Sequence, residues 1–464
     1  MTLFCALASN FLFASGHDSQ RCTELIALAV MAIVVLARAK RNHVIPGSTP
    51  TITLLTGFFV LGLASATAAL SLRHAAYEWS VLLMLLVMVF AIATELTHER
   101  VHLASLLHLI GIACGLYSLR IVLMYAAALA SGFQPDWSVI AVGFSNLRHL
   151  NHTQTALLPL IILLVMNAPK DGMWRKTWFL LAAFWWSLLF VTEARASIIA
   201  LAASCTAAFA LRRSHARKFI FTMGLTASFG VILYGMLFIL LPEMAGLSPI
   251  STPLNVLDRT AANPSSNRNI LWKFAWELIM AHPLLGIGPQ HFAHDAAGLH
   301  TGAHPHNWPL QIAAEWGIPA LLCLLGAIFL GARALVRSGA RLTSNDLPNQ
   351  QMLVTMLVAC MAIFVDGLFS GGIVMPQSQL AIALVLGMAC AWVRVQAAEQ
   401  QDESTPSRAK RTAMSIVVAT GLCGLLWSVM PDILHFLHSG KPTSGEHIGL
   451  PGMLWPRMWE DGNF

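Results

Sequence analysis

Continuous apolar runs of about 20 residues, the length a helix needs to cross a bilayer, recur along this chain and leave it few possible folds. Clear examples are Thr51 to Leu72, Ser80 to Thr94, Phe219 to Leu241 and Leu310 to Leu330. In lipid only helices and closed barrels pair all their backbone polar groups. Barrel strands alternate apolar and polar residues, and these runs do not, so helices remain. Composition agrees: 56% of the 464 residues are hydrophobic and 11% are charged, with a mean hydropathy of +0.66. Water could not solvate such a surface, which excludes a soluble globular protein. The expectation is an all-α polytopic membrane protein with about twelve transmembrane helices.

Lys and Arg gather in alternate loops: Arg38, Lys40 and Arg41; Arg100; Lys170, Arg175 and Lys176; Arg212, Arg213, Arg217 and Lys218; Arg333, Arg337 and Arg341; and Arg394, Arg408, Lys410 and Arg411. By the positive-inside rule these loops are cytoplasmic. The intervening ones, including the long stretch from Pro242 to Trp308, then face the other side. The net charge of +6 therefore records topology, and no nucleic-acid partner is expected from it. The eight Cys lie mostly inside apolar runs without a CxxC pair, with at most Cys22 in an outside loop, so neither a disulfide framework nor a zinc site is indicated. The apolar stretch Leu3 to Ala14 lacks a basic flank and reads as re-entrant or as an additional span, not as a cleaved signal.

Spans are expected near residues 23–37, 51–72, 76–94, 101–130, 153–167, 177–193, 195–211, 219–241, 308–332, 350–371, 377–396 and 412–430. They divide the chain into an N-terminal transmembrane part (1–241), an outside loop subdomain with short helices (242–307), a C-terminal transmembrane part (308–430) and an irregular tail rich in Pro, Gly and Trp on the outer face (431–464). The stretch 101–130 is long for one span, and its second half, with Arg120, is expected against the outer interface. In the loop, Ser265, Ser266 and Asn267 are capping residues. Ile270, Leu271, Phe274, Leu278 and Ile279 follow at helical spacing, until His282-Pro283 ends the helix. Leu285-Gly286-Ile287-Gly288-Pro289 then makes a turn, a glycine run too isolated to indicate phosphate binding by itself.

Several polar residues stand where they could carry chemistry. Arg195 sits at the outer end of a nearly uncharged helical hairpin, where an arginine is costly unless it faces water, snorkels or pairs, for example with Glu193. Arg268 falls in the first turn of the loop helix, where the macrodipole disfavours a cation. An arginine fork beside free N–H groups suits a phosphate or pyrophosphate, and the alternative is a solvated surface arginine. His300, His304 and His306 close the loop; an imidazole there is an interfacial residue, part of a metal site or a general base. Glu315 and Asp366 are acids in apolar surroundings, each placed to orient a base or to pair an arginine.

The order of these features resembles the O-antigen ligases, within the superfamily that also contains O-antigen polymerases and protein O-oligosaccharyltransferases. HNWPLQIAAEWG, His306 to Gly317, is similar to the family's His-Asn, Leu, Glu, Gly signature at the end of its large periplasmic loop. TEARAS, with Arg195, is similar to its arginine after the outer end of a hairpin helix, and NRNILWKFAWELIMAHPLLGIGPQHF to its arginine-headed loop helix and Gly-x-Gly turn. The resemblance covers about residues 50 to 395. Glu193 departs from it, standing where a small or hydroxylated residue is expected, and LRHLNHTQTALLP, with Arg148, Asn151 and His152, matches the family's Asn-rich motif only loosely.

The resemblance implies a GT-C-like glycosyltransferase of the Gram-negative inner membrane with its active site facing the periplasm. It implies an undecaprenyl-pyrophosphate-linked O-antigen donor, a lipid A-core acceptor, membrane lipids around the spans, and no metal or other cofactor. Catalysis would rest on His306 as general base with Arg195 and Arg268 on the pyrophosphate. Arg148, Asn307, Glu315, Asp366 and His304 are the further candidates for binding pyrophosphate or acceptor. A polymerase or protein-glycosylating enzyme would use the same donor. A flippase of lipid-linked glycans would carry its charges along a path through the bilayer, whereas the polar candidates here gather at one face.

Overall fold

A computed structural model describes residues 16–38, 48–98, 101–144, 146–252, 268–299, 302–343, 345–398, 408–439 and 457–459. The stretch Leu3 to Ala14, the caps Ser265, Ser266 and Asn267, His300 and most of the tail beyond Ser439 lie outside these residues. Among the described residues all regular structure is helical. The helices are α1 (Gly16–Ala37), α2 (Thr49–Ala68), α3 (Leu72–His98), α4 (Val101–Ala130), α5 (Trp137–Ile140), α6 (Leu147–Asn167), α7 (Met173–Val191), α8 (Arg195–Tyr234) and α9 (Leu241–Met244). There follow α10 (Arg268–Ala281), α11 (Phe292–Asp295), α12 (Trp308–Trp316), α13 (Ile318–Ala340), α14 (Leu347–Asp366), α15 (Pro376–Ala398) and α16 (Arg408–Ser439).

Among the described residues, ten helical stretches are long and apolar enough to cross a membrane, so this is a multi-pass membrane protein. Their bounds differ from the sequence reading in instructive places. Between the expected spans 195–211 and 219–241 the chain makes a kink and no separate loop: two helices within α8 meet at Arg212 (φ −142°, ψ 43°), inside the basic cluster, and the second runs through a π turn into α9. The expected span 308–332 is two helices, parted at Gly317 (φ 87°). Helix α4 continues unbroken where a second, interfacial half was expected, and α16 passes through Pro431 to Ser439. Cys22, expected at most in a loop, lies inside α1.

The chain forms two compact units. The first comprises residues 1–20, 100–266 and 341–385, and holds α4 to α9 and α14. In it α8 packs along α7 and α14, with α6 against all three. Close approach of α8 to α7 depends on Gly230, where a Cβ would stand 2.4 Å from that of Trp186. Tyr117, Ile121, Leu150, Leu188 and Phe238 fill the core beside them. Gln20, at the start of α1, donates to the Gly143 carbonyl at 2.7 Å.

The second unit comprises residues 21–99, 267–340 and 386–464, and holds α2, α3, α10 to α13 and α16. Here α2 packs on α13, and α3 on α16. Trp316, the last residue of α12, stacks on Phe58 with ring centroids 4.5 Å apart, in space left by Gly62.

Candidate active site

In the second unit, the sequence from Gly302 to Asn307 turns a corner ahead of α12. Asn307 is the N-cap: its backbone is extended, and its side-chain oxygen accepts from the Leu310 N–H at 3.0 Å. Pro309 follows in the first turn, where its missing N–H costs nothing. One residue earlier, His306 is left-handed at φ 52°, a conformation that strains a non-glycine residue by about 1–3 kcal/mol. Its N–H donates to His304 Nδ1 at 3.2 Å, and the two rings lie 4.1 Å apart, centroid to centroid. His304 is buried, whereas His306 is part-exposed.

Helix α10 braces this corner. Leu271, Ala275 and Ile279 recur at four-residue spacing and are buried against Phe292, Ala296, Ala313 and Ala314, with Phe274 and Leu278 beside them. Ile270, expected on the same face, is 44% exposed, because it lies about 100° round the helix from Leu271. Arg268 opens the helix half-buried. One turn later, Trp272 donates from Nε1 to the carbonyl of Pro305 at 2.9 Å, tying the arginine-headed turn of α10 to the residue before His306.

The glycine turn after α10 is a structural joint. Ile287 and Gly288 donate their N–H groups to the carbonyls of Ala314 and Glu315, both at 2.9 Å, so these two donors are committed to the end of α12. Gly286 (φ 69°) and Gly317 (φ 87°) allow that contact: a Cβ on Gly286 would meet the Glu315 carbonyl carbon at 2.4 Å, and one on Gly317 the Leu284 carbonyl oxygen at 2.2 Å. Beyond the turn, His291 accepts at Nε2 from the Ser71 N–H (2.9 Å), which leaves Nδ1 to donate to the Pro289 carbonyl (2.8 Å). Burial holds its pKa below the usual histidine value, against the opposing pull of the Pro289 hydrogen bond.

Glu315 is wholly buried, and it pairs an arginine. Its Oε1 accepts from the Phe292 N–H at 3.0 Å, and its Oε2 accepts from Gln311 Nε2 and from Arg457 at 3.0 Å. The same guanidinium pairs Glu78 of α3 and donates to the Ala303 carbonyl at 3.2 Å. Burial alone would lower the pKa of Arg457, but the Glu315 and Glu78 carboxylates outweigh it and hold the pKa above its ordinary value. Arg21 in turn donates to the Arg457 carbonyl at 2.8 Å.

The first unit holds a second polar cluster. Asp366, the last residue of α14, is buried and accepts from Ser370 Oγ (2.6 Å) and Ser197 Oγ (3.1 Å), with His152 Nδ1 at 3.0 Å. Asn151, beside His152, accepts from the Thr192 hydroxyl at 2.9 Å, which fixes α6 to the turn between α7 and α8. In that turn Glu193 is left-handed (φ 54°) and accepts from Ser251 Oγ, two residues before Arg195 begins α8. Arg148 stands part-buried in the first turn of α6, which Asn146 caps. A small cavity opens beside Asp366, His152, Thr155 and Gly372. Among the described residues, no group of three or more His, Cys, Asp or Glu side chains gathers as a metal ion would require.

Residues 178–325 match the Wzy_C model, described as O-antigen ligase. The match covers about a third of the chain and includes Arg195, Arg268 and His306, and the family is the one that the motifs resemble. Wzy_C supports an O-antigen ligase or polymerase-like function, with lipid-linked glycans as substrates, in lipopolysaccharide biosynthesis. No curated protein matches the chain.

The second unit brings together the corner bearing His304, His306 and Asn307, the helix headed by Arg268, and Glu315. Arg195, Arg148 and Asp366 belong to the first. Sequence reasoning missed Arg457, Glu78 and the pairing of His152 with Asp366. Glu78 carried a usable signal, an acid inside an apolar run. For Arg457 the signal was weaker: an arginine flanked by Trp455 and Trp459 in a segment read as irregular.

Proposed function

We propose that this protein is an O-antigen ligase: an inverting, metal-independent glycosyltransferase with GT-C-like architecture that moves O-antigen from undecaprenyl pyrophosphate to lipid A-core at the periplasmic face of the inner membrane. The observation that carries this reading is that the three motifs bearing Arg195, Arg268 and His306 all fall inside the Wzy_C match, in the family's order. His306 takes the proton of the acceptor hydroxyl as its oxygen attacks the anomeric carbon. The bond from that carbon to pyrophosphate breaks as the new glycosidic bond forms, and the leaving group departs with the bonding electrons. Arg195 and Arg268 are assigned to the charge that develops on pyrophosphate, a role preorganised cations fill well. General-base help of this kind is worth about two to four orders of magnitude in rate.

The further candidates divide by their surroundings. Asn307 and Glu315 hold α12 in place, and His304 supports His306 through its backbone N–H. Arg148 and Asp366 are assigned to substrate binding in the first unit, Asp366 beside its cavity. The loop 242–307 is assigned to the periplasm on the strength of charge distribution.

The test is transfer in vitro, with purified protein, undecaprenyl-pyrophosphate glycan and lipid A-core, in the presence of EDTA. Wild type is expected to ligate with chelator present, and well-expressed His306→Ala and Arg268→Ala variants are expected to fail. Extension of the donor glycan without transfer to lipid A-core would replace ligase by polymerase, and glycosylation of protein would point to the oligosaccharyltransferases. If no glycan moves, the transferase reading falls and a flippase takes its place.

A further inference from the structure

The corner that bears His306 is anchored at alternate positions. Pro305 is held by Trp272 of α10, and Asn307 is fixed by its own cap. Ala303 is held by Arg457, a residue remote in sequence from the loop and from both helices that carry it. The same guanidinium grips Glu315 in the last turn of α12. One planar fork therefore spans α12, fixing the corner before its first residue and the carboxylate at its far end. The fork is itself held in place. Arg21 donates to the Arg457 carbonyl, and two residues on, Trp459 Nε1 donates to Asp432 Oδ2 at 3.1 Å, on a carboxylate that also pairs Arg73 at 2.9 Å.

This matters because His306 sits in a strained backbone conformation that the corner must impose. Loosening one anchor lets the corner relax, and displacement of a catalytic group by about 1 Å can cost a hundredfold in rate. We infer that Arg457 is a positioning residue for His306, acting through the Ala303 carbonyl and Glu315. The inference rests on the reading of His306 as the base, and it gives the segment 457–459 a part in catalysis without contact with substrate. Lysine cannot replace the fork, because a single ammonium on a flexible stem does not hold a carbonyl and two carboxylates in one plane.

The experiment uses the purified full chain and compares wild type with Arg457→Lys, which keeps the cation. Glu315→Gln/Arg457→Gln, which removes one charge of each sign, serves as a second variant, because a lone loss of the cation would strand two buried carboxylates where the double change strands one. Carbethoxylation of individual histidines by diethyl pyrocarbonate is followed by mass spectrometry, with exposed His282 and His438 as references. The rate at His306 is expected to change at least threefold while both references hold. In glycan transfer, Arg457→Lys is expected to lower kcat about tenfold or more, with KM for the lipid-linked donor changed less than twofold. An unchanged His306 rate overturns the inference. So does a parallel change at all three histidines, or failure of both variants to fold, since either marks a purely structural arginine. If His306 reactivity shifts but wild type moves no glycan, the positioning role stands and the ligase reading falls.

Discussion

Ser197 of α8 and Asp366 of α14 meet in a 3.1 Å hydrogen bond between two buried side chains, 169 residues apart in the chain. With Ser370 and His152 on the same carboxylate, this bond joins three helices of the first unit through a single acid. Replacing Asp366 by Ala would leave these partners without their acceptor, at a cost of about 3 kcal/mol. The expected result is a clearly lower thermal midpoint in detergent, with Asp366→Asn intermediate. An unchanged midpoint for the alanine variant would remove the acid from any structural account of this unit.

Glycine substitutions should separate into two classes. Gly286→Ala and Gly317→Ala each place a Cβ within 2.5 Å of a backbone atom, at positive φ, and are expected to abolish folding or cost about 3 kcal/mol or more. Gly224→Ala in α8 meets open space and is expected to be neutral or stabilising by up to about 1 kcal/mol. Folded yield and thermal midpoint, measured side by side, decide the matter. Equal behaviour of Gly286→Ala and Gly224→Ala would contradict the joint described above.

Asn307 should behave as a helix cap. Asn307→Ala is expected to destabilise by about 1 kcal/mol, and Asn307→Asp, which keeps an acceptor and adds a charge suited to the helix start, should recover most of that loss. If aspartate is no better than alanine, the side chain's role lies elsewhere than in the cap.

His291 supplies a pH dependence whose sign follows from its hydrogen bonds. The folded protein needs Nε2 unprotonated to accept from Ser71, and burial lowers the folded pKa below the unfolded value of about 6.5. The unfolded chain therefore binds a proton first as pH falls. The contribution to stability is fully present above about pH 6.5, and it is lost as pH drops from there through the folded value. Thermal midpoints of wild type between pH 5 and 8 should decline on the acid side more steeply than those of His291→Gln. Parallel profiles would show that this imidazole does not control the decline.

Much of the architecture was legible in the sequence because lipid imposes a length and an apolarity that few other environments demand. The loop helix was legible too, since Leu271 and Ile279 carry a helical period that only packing on one face explains. Breaks inside apolar runs were harder to read. The Gly317 break lies in a stretch apolar on both sides, so hydropathy runs through it, although Gly317 and Pro319 together mark the start of a second helix. The break at Arg212 was legible, because the basic cluster interrupts the apolar run, although the two helices meet there at a kink and not through a separate loop.

Among the candidate site residues, His306, Arg268 and Arg195 are singled out by type, position and motif. Glu315 was found as a buried acid, but its partner was not. Hydrophobic periodicity and local spacing report contacts within a few turns, whereas the pairs of Glu315 with Arg457 and of Asp366 with His152 and Ser197 join segments more than a hundred residues apart. No local pattern encodes such a pairing.

The placement of Arg457 imposes an order of events during synthesis. Glu78 and Glu315 are made 379 and 142 residues before the cation that neutralises them. At about 5–20 residues per second, the first acid waits roughly twenty to seventy-five seconds for its partner. Through that interval both carboxylates must stay hydrated, protonated or provisionally paired, so the region around α12 cannot reach its final packing while the chain is still short of Arg457.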